Sequence, residues 1–247
     1  GMVKDEETIR LFVGQIEDPK QHEGIKFLAI EGIESLGQKK LIANVQLESL
    51  AVNSLLNVLK KGDQVHPFTR QAAVRALGAI GRPTRVIGRN DADVAVALLK
   101  VLRDPNIRRM DRNDAVVALA SLQIPPELDY NFQYVAYEIA QFVVDVGAAA
   151  LQNPSTDDLH GYLYLADASY ALAPREKVRK MPLVESAKKH AKAKSHADSA
   201  YIQLLGDQVN RLNVSGIKAY KPDAVVGAKA AAAAALKVDD VVNRTKE

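Results

Sequence analysis

The feature that most constrains this 247-residue chain is a stretch that comes back. "TRQAAVRALGAIG" at 69–81 is preceded by "IKFLAIEGIESLG" at 25–37 and followed by "DRNDAVVALASLQ" at 111–123, at shifts of 44 and 42 positions. Self-similarity at a fixed period of 20–50 residues marks stacked repeats, in which each unit buries its apolar face only against its neighbours. Within the copies, Ala29, Ile33 and Leu36, then Ala73, Leu77 and Ile80, then Ala115, Leu119 and Leu122 share an i, i+4, i+7 spacing. That spacing predicts one buried helix face per copy. Beside it stand Gly32, Ala76 and Ala118, small enough for a neighbouring helix to come close.

A second amphipathic segment precedes each copy: 6–16, 46–61 and 91–102. The turn joining the two carries an acid, Asp18, Asp63 or Asp104, and a base follows seven or eight positions later, Lys26, Arg70 or Arg112. Gly37 and Gly81 follow the second helix in two copies, the ordinary punctuation of a helix end. Taken together these residues resemble HEAT repeats, particularly the short bacterial kind also called phycobilisome-lyase-like. "RQAAVRALGAIG" matches that pattern closely. The third copy departs from it at Ala120 and Gln123, and the first at Ile33 and Glu34.

The resemblance covers roughly residues 4–124 and implies an all-α, right-handed α-α superhelix of the HEAT/armadillo type. It also implies that Asp18, Asp63 and Asp104 form a structural turn ladder with Lys26, Arg70 and Arg112, linking neighbouring repeats. The expected units lie near 4–38, 41–82 and 90–124. An irregular fourth unit spans 128–174, with a long helix at 131–152 and a partner at 157–174. Together they make a repeat domain over 1–174, and 175–247 is a helical C-terminal extension or cap.

Charge is uneven along the chain. Between Asn113 and Pro174 there are eight carboxylates and no Lys or Arg, whereas Arg175–Lys194 holds eight basic residues against Glu176 and Glu185. Six of the eight tyrosines fall in the acidic stretch. Tyr130, Tyr134, Tyr137, Glu138, Asp145, Tyr162 and Tyr164 are therefore the candidate partner surface, because Tyr is enriched where proteins meet. Carboxylates are rarely buried unpaired. Two cations are available to them: a basic partner, or the Arg175–Lys194 block folding back as a cap.

The sequence argues against most chemistry. It lacks cysteine, which removes disulfides and thiolate sites. Gly-rich phosphate loops, HExxH and GxSxG are missing. Some HEAT-repeat hydroxylases hold two irons with several His-Glu pairs. Here His22-Glu23 is one such pair, and the corresponding positions read His66-Pro67 and Arg108-Arg109. One pair cannot fill two ligand shells, so His22 reads as a turn residue at a helix start.

Arg82, Arg85 and Arg89 fall on one edge of the expected stack, and Arg108, Arg109 and Arg112 on the other. An intervening helix of about 11 residues separates them by about 16 Å, which is no single stripe for phosphates. The segment 187–197 is basic but has no aromatic residue for base stacking. No run approaches the ~18 apolar residues of a membrane span, and the N-terminus has no signal-peptide core.

The expectation is a non-catalytic protein–protein interaction scaffold in the cytoplasm, with no cofactor and no metal. Its partner is another protein or peptide, including a basic one, rather than a membrane, a nucleic acid or a small molecule. A lyase-like or metal-handling enzyme and a nucleic-acid-binding repeat protein stand as the alternatives.

Overall fold

A computed structural model describes residues 2–42, 44–85 and 91–152, together with single positions between 164 and 207. Among them the regular structure is all helical. The elements are α1 (Met2–Glu17), α2 (Glu23–Gln38), α3 (Val45–Lys60), α4 (Pro67–Ile80), α5 (Asp93–Arg103), α6 (Arg109–Ser121) and α7 (Phe132–Gln152), with a 3-10 turn at Gly62–Gln64.

Each helix forms where the apolar spacing predicts, and local chemistry sets its ends. His22 and His66, 44 positions apart, both cap a helix: Nδ1 of His22 accepts from the Gly24 N–H at 3.1 Å, and Nδ1 of His66 from Phe68 at 3.3 Å. Pro67 follows His66 at the first helical position, where its missing N–H costs nothing. Asn44 caps α3 by accepting from Leu47 N–H at 2.8 Å. Gly81 closes α4 at φ 76°, the left-handed conformation that glycine adopts without a Cβ penalty.

Consecutive helices pair as α1 with α2, α3 with α4, and α5 with α6. The pairs then stack in two files, α1–α3–α5–α7 and α2–α4–α6. The buried core runs between the files. Ala29 and Ile33, Ala73, Leu77 and Ile80, and Ala115, Leu119 and Leu122 all lie in it, and Leu36 packs half-buried against it.

Two glycines set the spacing within the second file. A Cβ on Gly37 would stand 3.0 Å from the Ile80 nitrogen, and one on Gly78 would stand 2.7 Å from Cα of Ala118. The small position at Gly32 works differently, since its neighbour is the Phe12 ring of α1, inside the same helix pair. Ala118 does face the neighbouring helix of its file, α4, and it is Gly78 that it meets.

The irregular fourth unit is described as far as α7. Past it, Tyr164, Asp167, Ala168, Ala171 and Leu172 are helical. Ala168, Ala171, Leu172, Leu183, Ala187 and Ile202 belong to the same buried apolar cluster as the helices before them. Most of 175–247 lies outside the described residues.

Candidate functional site

The second file of helices is laced by polar bridges between residues 37 to 46 positions apart. Glu23, at the start of α2, accepts from the Thr69 hydroxyl of α4 at 3.0 Å. Arg75 of α4 reaches back to Glu34 and Glu31 of α2, each at 3.1 Å. Gln71 of α4 donates to Asp114 of α6 at 2.8 Å and accepts from Arg108 at 3.2 Å. The same three-helix seam thus carries charge-assisted bonds at each step, the strong class of hydrogen bond.

The centre of the network is Asp111, which is wholly buried. Its Oδ2 accepts from Nε and Nη2 of Arg70 at 3.4 and 3.3 Å, and its Oδ1 accepts from Nη2 of Arg108 at 2.6 Å. Arg70 also lies 3.6 Å from Asp63, which is fully exposed. Arg108 stands over the Phe68 ring at 4.9 Å.

The expected turn ladder is brought together only at Asp63 and Arg70. Asp18 accepts from the Lys20 N–H at 2.8 Å, and Asp104 accepts from the Asn106 N–H at 2.9 Å. Both are used by their own turns, because a short Asp side chain reaches the backbone two residues on more readily than a distant base. Lys26 pairs with Glu23 at 3.1 Å. Arg112 donates to the Leu102 carbonyl and to Asp145, each at 2.7 Å, and lies 5.1 Å from the centre of the Phe142 ring. One turn into α6, its head meets the end of α5 and the flank of α7 instead of Asp104. The acids that link α2 to α4 and α4 to α6, namely Glu23, Glu31, Glu34, Asp111 and Asp114, stand within α2 and α6 rather than in turns. Asp111 precedes Arg112, a ladder residue, and lies 41 positions after Arg70; that repeat-length offset is the sequence signal that points to it.

Three carboxylates of the acidic stretch are answered from within the chain. Asp145 takes Arg112, Glu138 takes Arg103 at 3.4 Å, and Asp167 accepts from the Asn113 amide at 2.7 Å. The donors of these three contacts lie on α5 and α6. The tyrosines divide. Tyr130 is buried edge-on against Phe132 at 4.8 Å, with its hydroxyl unpartnered, and burial pushes that phenol far above its ordinary range. Tyr137 packs half-buried on the core, and Tyr164 lies 6.3 Å from the Phe142 ring. Tyr134 remains exposed, with its hydroxyl accepting from Arg103 at 2.9 Å. Tyr162 lies outside the described residues.

The arginine-rich turns are also engaged. Arg82 bonds to Ser49 and to the Val45 carbonyl at 3.0 and 3.4 Å, and Arg85 lies 3.9 Å from Asp93. Arg89 is outside the described residues.

Electrostatics follow from these contacts. Burial raises the Glu23 carboxyl, but hydrogen bonds from Lys26 and Thr69 outweigh it and hold the group below its ordinary range. Burial raises the Asp114 carboxyl above the ordinary 3.8, and the Gln71 bond and Arg75 offset only part of that. The folded chain therefore binds more protons at Asp114 than the unfolded chain does, in the window that opens just above the ordinary value. Stability at this site falls as pH rises through that window. Asp114→Asn should flatten this part of the profile, read as urea midpoints between about pH 3 and pH 7. A slope unchanged by the substitution contradicts this assignment.

Among the described residues there is no group of three or more His, Asp or Glu arranged to hold a metal ion. Nor is any described helix long and apolar enough to cross a membrane. Exposed apolar side chains do recur in phase: Ile25, Phe68 and Met110 each stand in the first turn of a helix of the second file, 43 and 42 positions apart. Comparison with known proteins finds no family model, no curated protein and no solved structure that matches this chain.

Proposed function

We propose that this chain is a HEAT-like repeat scaffold, a right-handed α-α superhelix that binds another protein or peptide and carries out no chemistry of its own. The observation that carries the reading is the in-phase seam. Bridges from Glu23 to Thr69, Arg70 to Asp111 and Gln71 to Asp114 span 46, 41 and 43 positions. Such nearest-neighbour locking is what a repeat stack needs, and it produces an extended surface suited to binding. Ile25, Phe68 and Met110 supply apolar contact points along that surface, beside Arg108. Large exposed apolar residues with a neighbouring Arg are the composition of interface anchors.

The test starts from affinity capture by the immobilised chain, followed by titration of the purified captured protein. Phe68→Asp with Met110→Asp should weaken that binding by at least about tenfold, equivalent to 1.4 kcal/mol, with the melting temperature unchanged. Binding indifferent to both substitutions would overturn the placement of the surface. A catalysed turnover by the purified chain would overturn the scaffold reading itself.

A further inference from the structure

A cavity of about 500 Å³ opens where the turns that follow α2, α4 and α6 meet. Ile42, Ile80 and Leu128 supply apolar wall, and Lys40, Thr84 and Gln123 supply polar groups. Its size falls in the range of ordinary ligand pockets, which combine apolar lining with a few convergent polar groups. The frame around it is fixed: the Gln123 N–H donates to the Gly81 carbonyl at 2.7 Å, tying two of the three turns together.

Arg82 forms part of the wall. Its Nη1 is used by Ser49 and the Val45 carbonyl, and the Glu48 carboxylate stands 3.6 Å away. Nη2 is buried with no hydrogen-bond partner. Buried donors are nearly always satisfied, because an unpartnered one keeps the full cost of leaving water. Two carboxylates, Glu48 and Glu127, also line the space. Their repulsion disfavours a dianion such as phosphate and leaves room for a single negative charge.

We propose that this cavity binds one carboxylate carried on an apolar stem, with Arg82 as the receiving cation. To reach the ligand the guanidinium swings off its 3.4 Å contact with the Val45 carbonyl, the longer of its two bonds. Nη2 then donates to one carboxylate oxygen, Gln123 or Thr84 donates to the other, and the stem lies against Ile42, Ile80 and Leu128. Burial lowers the Arg82 guanidinium from its ordinary value, and Glu48 offsets only part of that. The carboxylate can come from a free organic acid or from a peptide C-terminus. The inference rests on the cavity alone and stands or falls apart from the scaffold reading.

The experiment uses the full chain labelled with ¹⁵N and four probes: N-acetyl-leucine, its amide, an N-acetylated tripeptide ending in leucine, and that tripeptide's amide. The free acids should shift the amide signals of Gly37, Gly81 and Gln123 saturably, and each should bind at least about tenfold more tightly than its amide. Arg82→Gln should abolish the difference between acid and amide. Tighter binding of the tripeptide acid identifies a peptide terminus as the source, and equal or weaker binding identifies a small acid. Equal binding of acid and amide, or no shift with any probe, overturns the proposal. That comparison needs no variant, so it stands even if Arg82→Gln does not fold.

Discussion

Asp111→Ala is expected to destabilise the chain by about 3–5 kcal/mol, the usual cost of removing one partner from a buried ion pair. Asp111 is inaccessible to solvent and receives both Arg70 and Arg108. Without it Arg70, itself 7% exposed in its side chain, keeps only the distant and fully exposed Asp63. Asp104→Ala is the contrast: it removes hydrogen bonds inside an exposed turn and should cost about 1 kcal/mol or less. Urea unfolding of the two variants checks both numbers. Similar losses for the two would contradict the assignment of Asp111, rather than the turn acid, as the group that holds α4 to α6.

The second large effect is steric. Gly78→Val should cost about 3 kcal/mol, the upper end of overpacking. Even its Cβ would stand 2.7 Å from Cα of Ala118 and 2.8 Å from its Cβ. Those atoms are backbone and near-backbone of α6, which cannot turn aside as a flexible side chain can. Gly14→Ala in α1 should instead stabilise by about 1 kcal/mol, since an interior helical glycine costs that much relative to alanine and, apart from the adjoining backbone of α1 itself, no atom lies within 4 Å of the added carbon. A thermal or urea midpoint for Gly78→Val at or above that of the parent chain would contradict the close approach of α4 and α6.

The helices and the period were legible because both depend on local spacing. The i, i+4, i+7 rows that run through Ile33, Leu77 and Leu119 need no knowledge of the neighbour to be recognised. The bridges were harder to read, since an arginine's partner is chosen by three-dimensional register. Arg112 and Arg70 are 42 positions apart and equally buried, yet one faces Asp145 and the other Asp111. α7 lies beside Arg112, and the start of α6 lies beside Arg70. Composition left open where the carboxylates between Asn113 and Pro174 find cations. A segment without bases looks like a free acidic face, but in a stacked chain its counterions can come from the unit before it, as Arg103 and Arg112 do. Gly78 was hidden for a related reason: small residues are frequent throughout "RQAAVRALGAIG", and only packing tells which one touches α6.

The central claim is that α4 is seated on α6, whose start lies 42 positions further along the chain. The chain has no cysteine, so a pair introduced as Gln71→Cys with Asp114→Cys can be joined by a short bifunctional thiol reagent against an empty background. In the parent chain these two side chains, one on α4 and one on α6, meet at 2.8 Å. The expected result is rapid and nearly complete intramolecular crosslinking in the folded state, lost in denaturant, with little crosslinking for Gly14→Cys paired with Asp114→Cys. Crosslinks that form only between chains, or equally for both pairs, would contradict the stacked arrangement.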